Sequence, residues 1–175
     1  MGKSKDTLVE DIYSLMFSKK ADDSVDVEAE IEKFGEAMKD IMKKEFLPKT
    51  RKWDGRKLRL SSVGKNDLSQ WFSYNGYRGE RIKPHTLIKF MYGHMIEEML
   101  LFLVRLTGHE VTDEQKEVSV GGIKGHMDCK IDGTVFDVKS NNKFGLMKFN
   151  DGTIAKNDTC EYVEQIKAQT KHKRA

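Results

Sequence analysis

Cysteine is scarce in this sequence: Cys129 and Cys160 are the only two among 175 residues. Two thiols cannot build a disulfide framework. Without a Cys-x-x-Cys pair they also cannot supply a zinc or iron–sulfur ligand set, so both are expected to be reduced. Proline occurs only at 48 and 84, and both positions read as helix boundaries. No apolar run approaches the ~20 residues that a membrane span requires. The first six residues, Met1-Gly2-Lys3-Ser4-Lys5-Asp6, are polar and lack the apolar centre of a secretory signal. The expectation is a cytoplasmic protein with no membrane association. A charge excess is also lacking: 31 Lys and Arg against 28 Asp and Glu leave a formal +3, which permits a polyanionic partner without demanding one. Internal repeats and low-complexity tracts are absent.

What the sequence does contain is periodicity. Residues 7–46 read as helical, with Val27, Ile31, Phe34, Met38 and Ile41 forming an apolar stripe and Pro48 ending the run. The stripe implies core packing. From Lys49 to Lys57 the chain is basic, and an aromatic segment around Trp71, Phe72 and Tyr74 follows. Basic residues interleaved with aromatics can grip nucleic acid, although the same mixture occurs on ordinary solvated faces. Ser61 or Ser62 could cap a short helix there. Leu87 to Leu106 is the clearest helix, opened by Pro84 and closed by Gly108.

Beyond that helix the period changes. Residues 117–120, 123–131 and 134–140 predict strands, and Asp132-Gly133 predicts a two-residue hairpin turn. Such a turn places Ile131 opposite Thr134, Cys129 opposite Phe136 and Asp128 opposite Asp137. Alternation then puts Asp128, Asp137, Lys139, His126 and Lys130 on one face, and Met127, Cys129, Phe136 and Val138 on the other. Opposed residues hold their Cβ atoms about 4.5–5.5 Å apart, where like charges repel. A divalent cation would offset that repulsion, and hard carboxylate oxygens suit Mg²⁺ or Mn²⁺. Glu97 lies in the apolar stripe of the preceding helix, where a carboxylate is costly unless paired or metal-bound. Glu98 falls in line with His94 and Arg105 on a more polar face and is the reserve ligand. Lys139, about 7 Å along the strand from Asp137, could orient an attacking water and neutralise charge on a phosphate. A loose stretch is expected over residues 141–158 and a final helix over 162–171.

Four short motifs, Gly93-His94-Met95-Ile96-Glu97, Gly125-His126-Met127-Asp128, Asp137-Val138-Lys139 and Tyr162-Val163-Glu164-Gln165, stand in an order and spacing that resembles the PD-(D/E)XK nuclease superfamily. The closest likeness is to its RecB-like, lambda-exonuclease-like branch, which bacteriophages often encode. The resemblance implies an α/β fold with a central mixed β-sheet flanked by helices, a restriction-endonuclease-like core over residues 51–175. A helical N-terminal portion, residues 1–50, would pack on that core. It implies Glu97, Asp128 and Asp137 as metal ligands with the Val138 carbonyl beside them, Lys139 as the catalytic lysine, and Gln165, Tyr162 and His126 at the substrate strand. It further implies Mg²⁺ or Mn²⁺ as cofactor, DNA as substrate, and a setting in the host cytoplasm of a phage. Assembly into homo-oligomers and work beside recombination or replication proteins are compatible with it. Exonuclease action is typical of the branch, and endonuclease action or a non-catalytic DNA-binding module are the alternatives. Lys124, Lys130, Lys143 and Lys148 are the basic residues expected on the DNA backbone. Two departures stand out. Gln169 occupies a position where a tyrosine is usual, and the sequence stops at Ala175 before the strand and helix that commonly follow, so the expectation is either a core truncated at its C-terminus or a missing edge supplied from elsewhere.

Overall fold

The structure is a computed structural model that describes residues 3–47, 58–62, 65–77, 79–140 and 143–154, together with Val163, Ile166, Lys167 and Thr170. It combines helices with small antiparallel sheets, and its N-terminal part is helical. The helices are α1 (Leu8–Ser18), α2 (Val27–Phe46), α3 (Asp67–Tyr74), α4 (Pro84–Leu106) and α5 (Lys143–Asn150). The strands are β1 (Val111–Thr112), β2 (Glu117–Val120), β3 (Ile123–His126), β4 (Cys129–Ile131) and β5 (Thr134–Phe136). They divide into two compact units, each drawn from separate stretches of chain. One comprises Met1–Arg51, Ile82–Glu114 and Cys129–Lys139, and the other Lys52–Arg81, Gln115–Asp128 and Ser140–Ala175.

In the first unit, the long helix expected over residues 7–46 is two helices. Lys19 closes α1 in the left-handed conformation, at φ 55°. Asp22 then accepts from both the backbone N–H and the hydroxyl of Ser24, at 3.0 and 2.7 Å. Asp26 caps α2 by accepting from Ala29 N at 3.1 Å. Short polar side chains that compete for backbone groups in this way stop a helix even where the apolar period continues across the gap. Helix α4 begins at Pro84, three residues ahead of the apolar run, because proline at the first helical position sacrifices no hydrogen bond. Its C-terminal carbonyl at Leu106 accepts from Asp22 N at 2.9 Å.

Helices α1 and α2 pack on α4. Of the predicted stripe on α2, Ile41 is buried and Phe34 stacks on Phe102 at 5.0 Å, while Val27 and Ile31 stay exposed. Leu8, Leu101, Val104, Cys129 and Ile131 form the core, covered by Ile12, Val111 and Phe136. Full burial of side chains of this size contributes about 1.5–3 kcal/mol each.

Strands β1, β4 and β5 make an antiparallel sheet in the order β1-β4-β5. Its hairpin turn is the predicted Asp132-Gly133, with φ 48° and 73°, the pair of positive angles that a type I′ turn needs. The register is the expected one: Ile131 pairs with Thr134 and Cys129 with Phe136. The strand itself is shorter than predicted, ending at Phe136 rather than Ser140.

In the second unit, β2 and β3 form their own hairpin about Gly121-Gly122, where φ is 56° and 79°. The single strand predicted over residues 123–131 is therefore broken. Regular strand ends at His126, and backbone bonds still join the two arms beyond it: Met127 N donates to Lys116 O at 3.1 Å, and Asp128 O accepts from Gln115 N at 2.9 Å. The described strands thus form two antiparallel sheets instead of one mixed sheet. Leu60, Val118 and Met127 make the core of this unit, with Val120 and Ile123 against it. Helix α3 is capped by Asn66, whose side chain accepts from Ser69 N at 2.8 Å. Ser61 and Ser62, expected as caps, instead belong to a 3-10 turn upstream. The loose stretch expected after residue 141 contains α5. Of the final helix, Val163, Ile166, Lys167 and Thr170 are helical. Tyr162 and Gln165 lie outside the described residues, as does Cys160.

Candidate active site

The Asp132-Gly133 turn sets the hairpin register, and the register sets where Asp137 leaves β5. Asp137 stands one residue past Phe136, whose ring packs on the core. Its side chain is 4% exposed, and Oδ1 lies 3.0 Å from Nζ of Lys139, which is 30% exposed. No donor reaches that buried oxygen in hydrogen-bond geometry among the described residues, so the pair is held by charge attraction rather than an aligned bond. A carboxylate kept out of water beside one ammonium, with an oxygen lacking an aligned donor, is the donor type that Mg²⁺ and Mn²⁺ accept. Val138, whose carbonyl is the further ligand expected, is half-buried between the two.

Glu97 is half-buried on α4, as its place in the apolar stripe implies, and its Oε2 lies 4.0 Å from His94 Nδ1. Glu98, the reserve ligand, is half-buried on α4. Burial, and next the nearby Glu114 carboxylate, raise its pKa above the ordinary value, against the opposing pull of Arg105, Lys33 and Lys44. Asp128 belongs to the second unit, as does His126, which is exposed on β3 opposite Glu117. Among the described residues, no group of three or more His, Cys, Asp or Glu side chains is gathered closely enough to share a metal ion. Asp137 therefore fits a divalent cation as a single ligand, and the three-acid set expected from sequence is not assembled among the described side chains.

The basic residues expected on DNA differ in their freedom. Lys130 is half-buried in an ion pair with Asp113, so its charge is already answered. Lys124 pairs with Glu117 at 2.7 Å on the exposed β2–β3 ladder. Lys143 is exposed at the start of α5 and Lys148 half-buried at its end. A larger asymmetry lies in the division of charge. The second unit holds 16 of the 31 Lys and Arg but only 9 of the 28 Asp and Glu, a formal +7 that leaves −4 on the first. The second unit is thus more basic than the whole-chain value of +3 suggests.

Two buried polar centres escaped the sequence reading. Arg105 is almost fully buried, with Nε donating to Glu30 Oε2 at 2.7 Å and Nη1 to Glu114 Oε2 at 3.1 Å. Lys33 adds a second cation to Glu114 at 2.8 Å. His109 is completely buried between two carboxylates, with Nδ1 2.7 Å from Asp132 Oδ2 and Nε2 3.0 Å from Asp11 Oδ2. The only local hint was an arginine set among Leu101, Val104 and Leu106. For His109 no local signal exists, because Asp11 is 98 residues away.

Comparison of the chain with protein-family models, with curated proteins and with solved structures finds no match.

Proposed function

We propose that this chain is a divalent-metal-dependent nuclease that hydrolyses phosphodiester bonds in DNA, acting from ends, with a core of the restriction-endonuclease-like kind. The observation that carries this reading is the buried Asp137 carboxylate with the Lys139 ammonium 3.0 Å away, one residue past a hairpin whose register is set by Asp132-Gly133. In this reading Asp137 would offer a carboxylate oxygen to Mg²⁺ or Mn²⁺, and Glu97, Asp128 and the Val138 carbonyl would complete the ligand set. When bound, the cation supplies Lewis acidity to the phosphate and acidifies water. Lys139 places a positive charge where the phosphate gains negative charge, and it can orient the attacking water. Tyr162, Gln165 and His126 would contact the substrate strand. The formal +7 of the second unit draws the DNA backbone.

The test is nucleotide release from end-labelled linear DNA and from circular DNA with Mg²⁺ or Mn²⁺, comparing the chain with Asp137→Ala and Lys139→Ala. Cutting of linear DNA alone, abolished by either change, is the expected result. Cutting of circles would make the protein an endonuclease.

A second reading is a DNA-binding or assembly module without turnover. It is favoured by the concentration of positive charge on one unit. Retained DNA binding with no hydrolysis under either metal would establish it in place of the nuclease.

A further inference from the structure

Helix α3 ends in a way that assembles three aromatic rings at the surface. Gly76 follows the helix with φ 82°, a left-handed conformation that glycine adopts without a Cβ penalty. Gly76 N donates to Ser73 O at 3.3 Å, and Tyr77 N donates to Phe72 O at 3.0 Å. These two bonds define a Schellman motif, whose usual companion is an apolar contact across the same turn. Here that contact is Tyr77 on Phe72, edge to face at 5.3 Å. The reversal also lays Tyr77 nearly parallel to Trp71, with centroids 5.7 Å apart and planes 24° apart. Trp71 meets Phe72 edge to face at 5.3 Å.

The motif accounts for Tyr77 touching Phe72, but burial does not account for the cluster. Trp71, Phe72 and Tyr77 remain 52%, 42% and 61% exposed. Water-exposed aromatic rings forfeit much of the stabilisation their area could contribute. They stand in the unit that carries a formal +7, and the exposed Arg59, Lys65 and Arg81 flank them in the chain against the exposed acids Asp67 and Glu80. An apolar peptide would use the rings but gain little from the charge, and duplex DNA would use the charge while its bases stay stacked within the helix. Unpaired bases on a phosphate backbone use both, since every base has a π-face and every linkage an anion.

We infer that Trp71, Phe72 and Tyr77 form a stacking platform for the unpaired bases of single-stranded DNA. This goes beyond the nuclease reading, because the binding requires neither metal nor turnover.

The test is a titration of the full chain, in EDTA, with labelled oligo(dT) and with a blunt duplex of equal length, read by anisotropy. Tryptophan emission is followed in a Trp53→Phe background so that Trp71 reports alone. Expected are preferential binding of oligo(dT), a fall in Trp71 emission, and a roughly tenfold or greater loss of affinity in Trp71→Ala. The dependence of affinity on salt should keep its slope in that variant, because phosphate contacts remain. Tyr77→Leu, which keeps an apolar contact for Phe72, should weaken binding as well and serves if Trp71→Ala fails to fold by circular dichroism. Equal affinity for the duplex, or unchanged oligo(dT) affinity in a folded variant, would overturn the inference. So would loss of self-association in Trp71→Ala with DNA binding intact. Asp137→Ala separates the two proposals: it should abolish hydrolysis and leave oligo(dT) binding at the parent level.

Discussion

Lys139 Nζ stands 3.0 Å from Oδ1 of Asp137, a carboxylate with almost no contact with water. A charge in that position is tolerated only with a partner, which makes the pair a matter of stability as well as chemistry. Lys139→Met should cost about 1–2 kcal/mol, less than the loss on breaking a fully buried pair because Lys139 is partly solvated. Adding Asp137→Asn should recover part of that loss. Urea unfolding of the two single variants and the double variant measures the coupling, and additive costs would show the pair to be independent.

Arg105 presents a stronger case, because it is buried and bonded to two carboxylates on different elements, Glu30 on α2 and Glu114 after β1. Arg105→Met should destabilise the first unit by about 2–4 kcal/mol, because Glu30 loses its cation and Glu114 keeps Lys33 alone. Glu30→Gln placed on top of it should be less harmful than in the parent. Thermal unfolding of the four combinations tests this, with Arg105→Met at the parent's stability as the contrary result.

Gly125 has no room for a side chain. A Cβ there would lie 2.5 Å from Cβ of Leu60, in the small core that Leu60 forms with Val118 and Met127. Gly125→Ala should therefore cost about 1–3 kcal/mol by overpacking. The effect should appear as faster proteolysis within residues 115–128, and Leu60→Ala should partly relieve it. Equal cleavage rates in Gly125→Ala and the parent would mean that the strand simply shifts.

Two carboxylates give the first unit opposite dependences on pH. The Thr7 hydroxyl above all, then His109 and Lys3, hold the Asp11 pKa below the ordinary 3.8, against burial. Its contribution is present above 3.8 and is lost as pH falls through the lower folded value. Burial and Glu114 raise Glu98 above 4.5, so the folded state holds this proton more tightly than the unfolded chain does. That contribution favours folding at acid pH and is lost as pH rises from 4.5 through the folded value. Asp11→Asn should flatten the acid limb of a stability profile between pH 2 and 4. Glu98→Gln should stabilise the protein at pH 7 and change it little at acid pH. A Glu98→Gln variant less stable than the parent at neutral pH would refute the second assignment.

Local chemistry by itself determined the elements whose signals lie within a few residues. Pro84 and Gly108 bracket α4, and Asp132-Gly133 supports two positive φ angles in succession. That turn dictates which residues of β4 and β5 face each other. It also places Asp137 and Lys139 together, since they are two residues apart in the chain. These outcomes depend on neighbours close in sequence, which is why spacing was enough to read them.

Tertiary structure alone decided the rest. The chain breaks between α1 and α2 where Asp22 N finds Leu106 O at the end of α4, while an apolar period reads straight through. The strand predicted over residues 123–131 divides because β3 pairs with β2 as far as His126 while β4 takes its partners from β1 and β5, a choice that alternation of apolar and polar residues cannot express. Arg105 meets Glu30 across 75 residues, and His109 meets Asp11 across 98. Such pairs form because burial leaves a charge no alternative partner, and burial is a property of the packed chain, not of any short stretch of it.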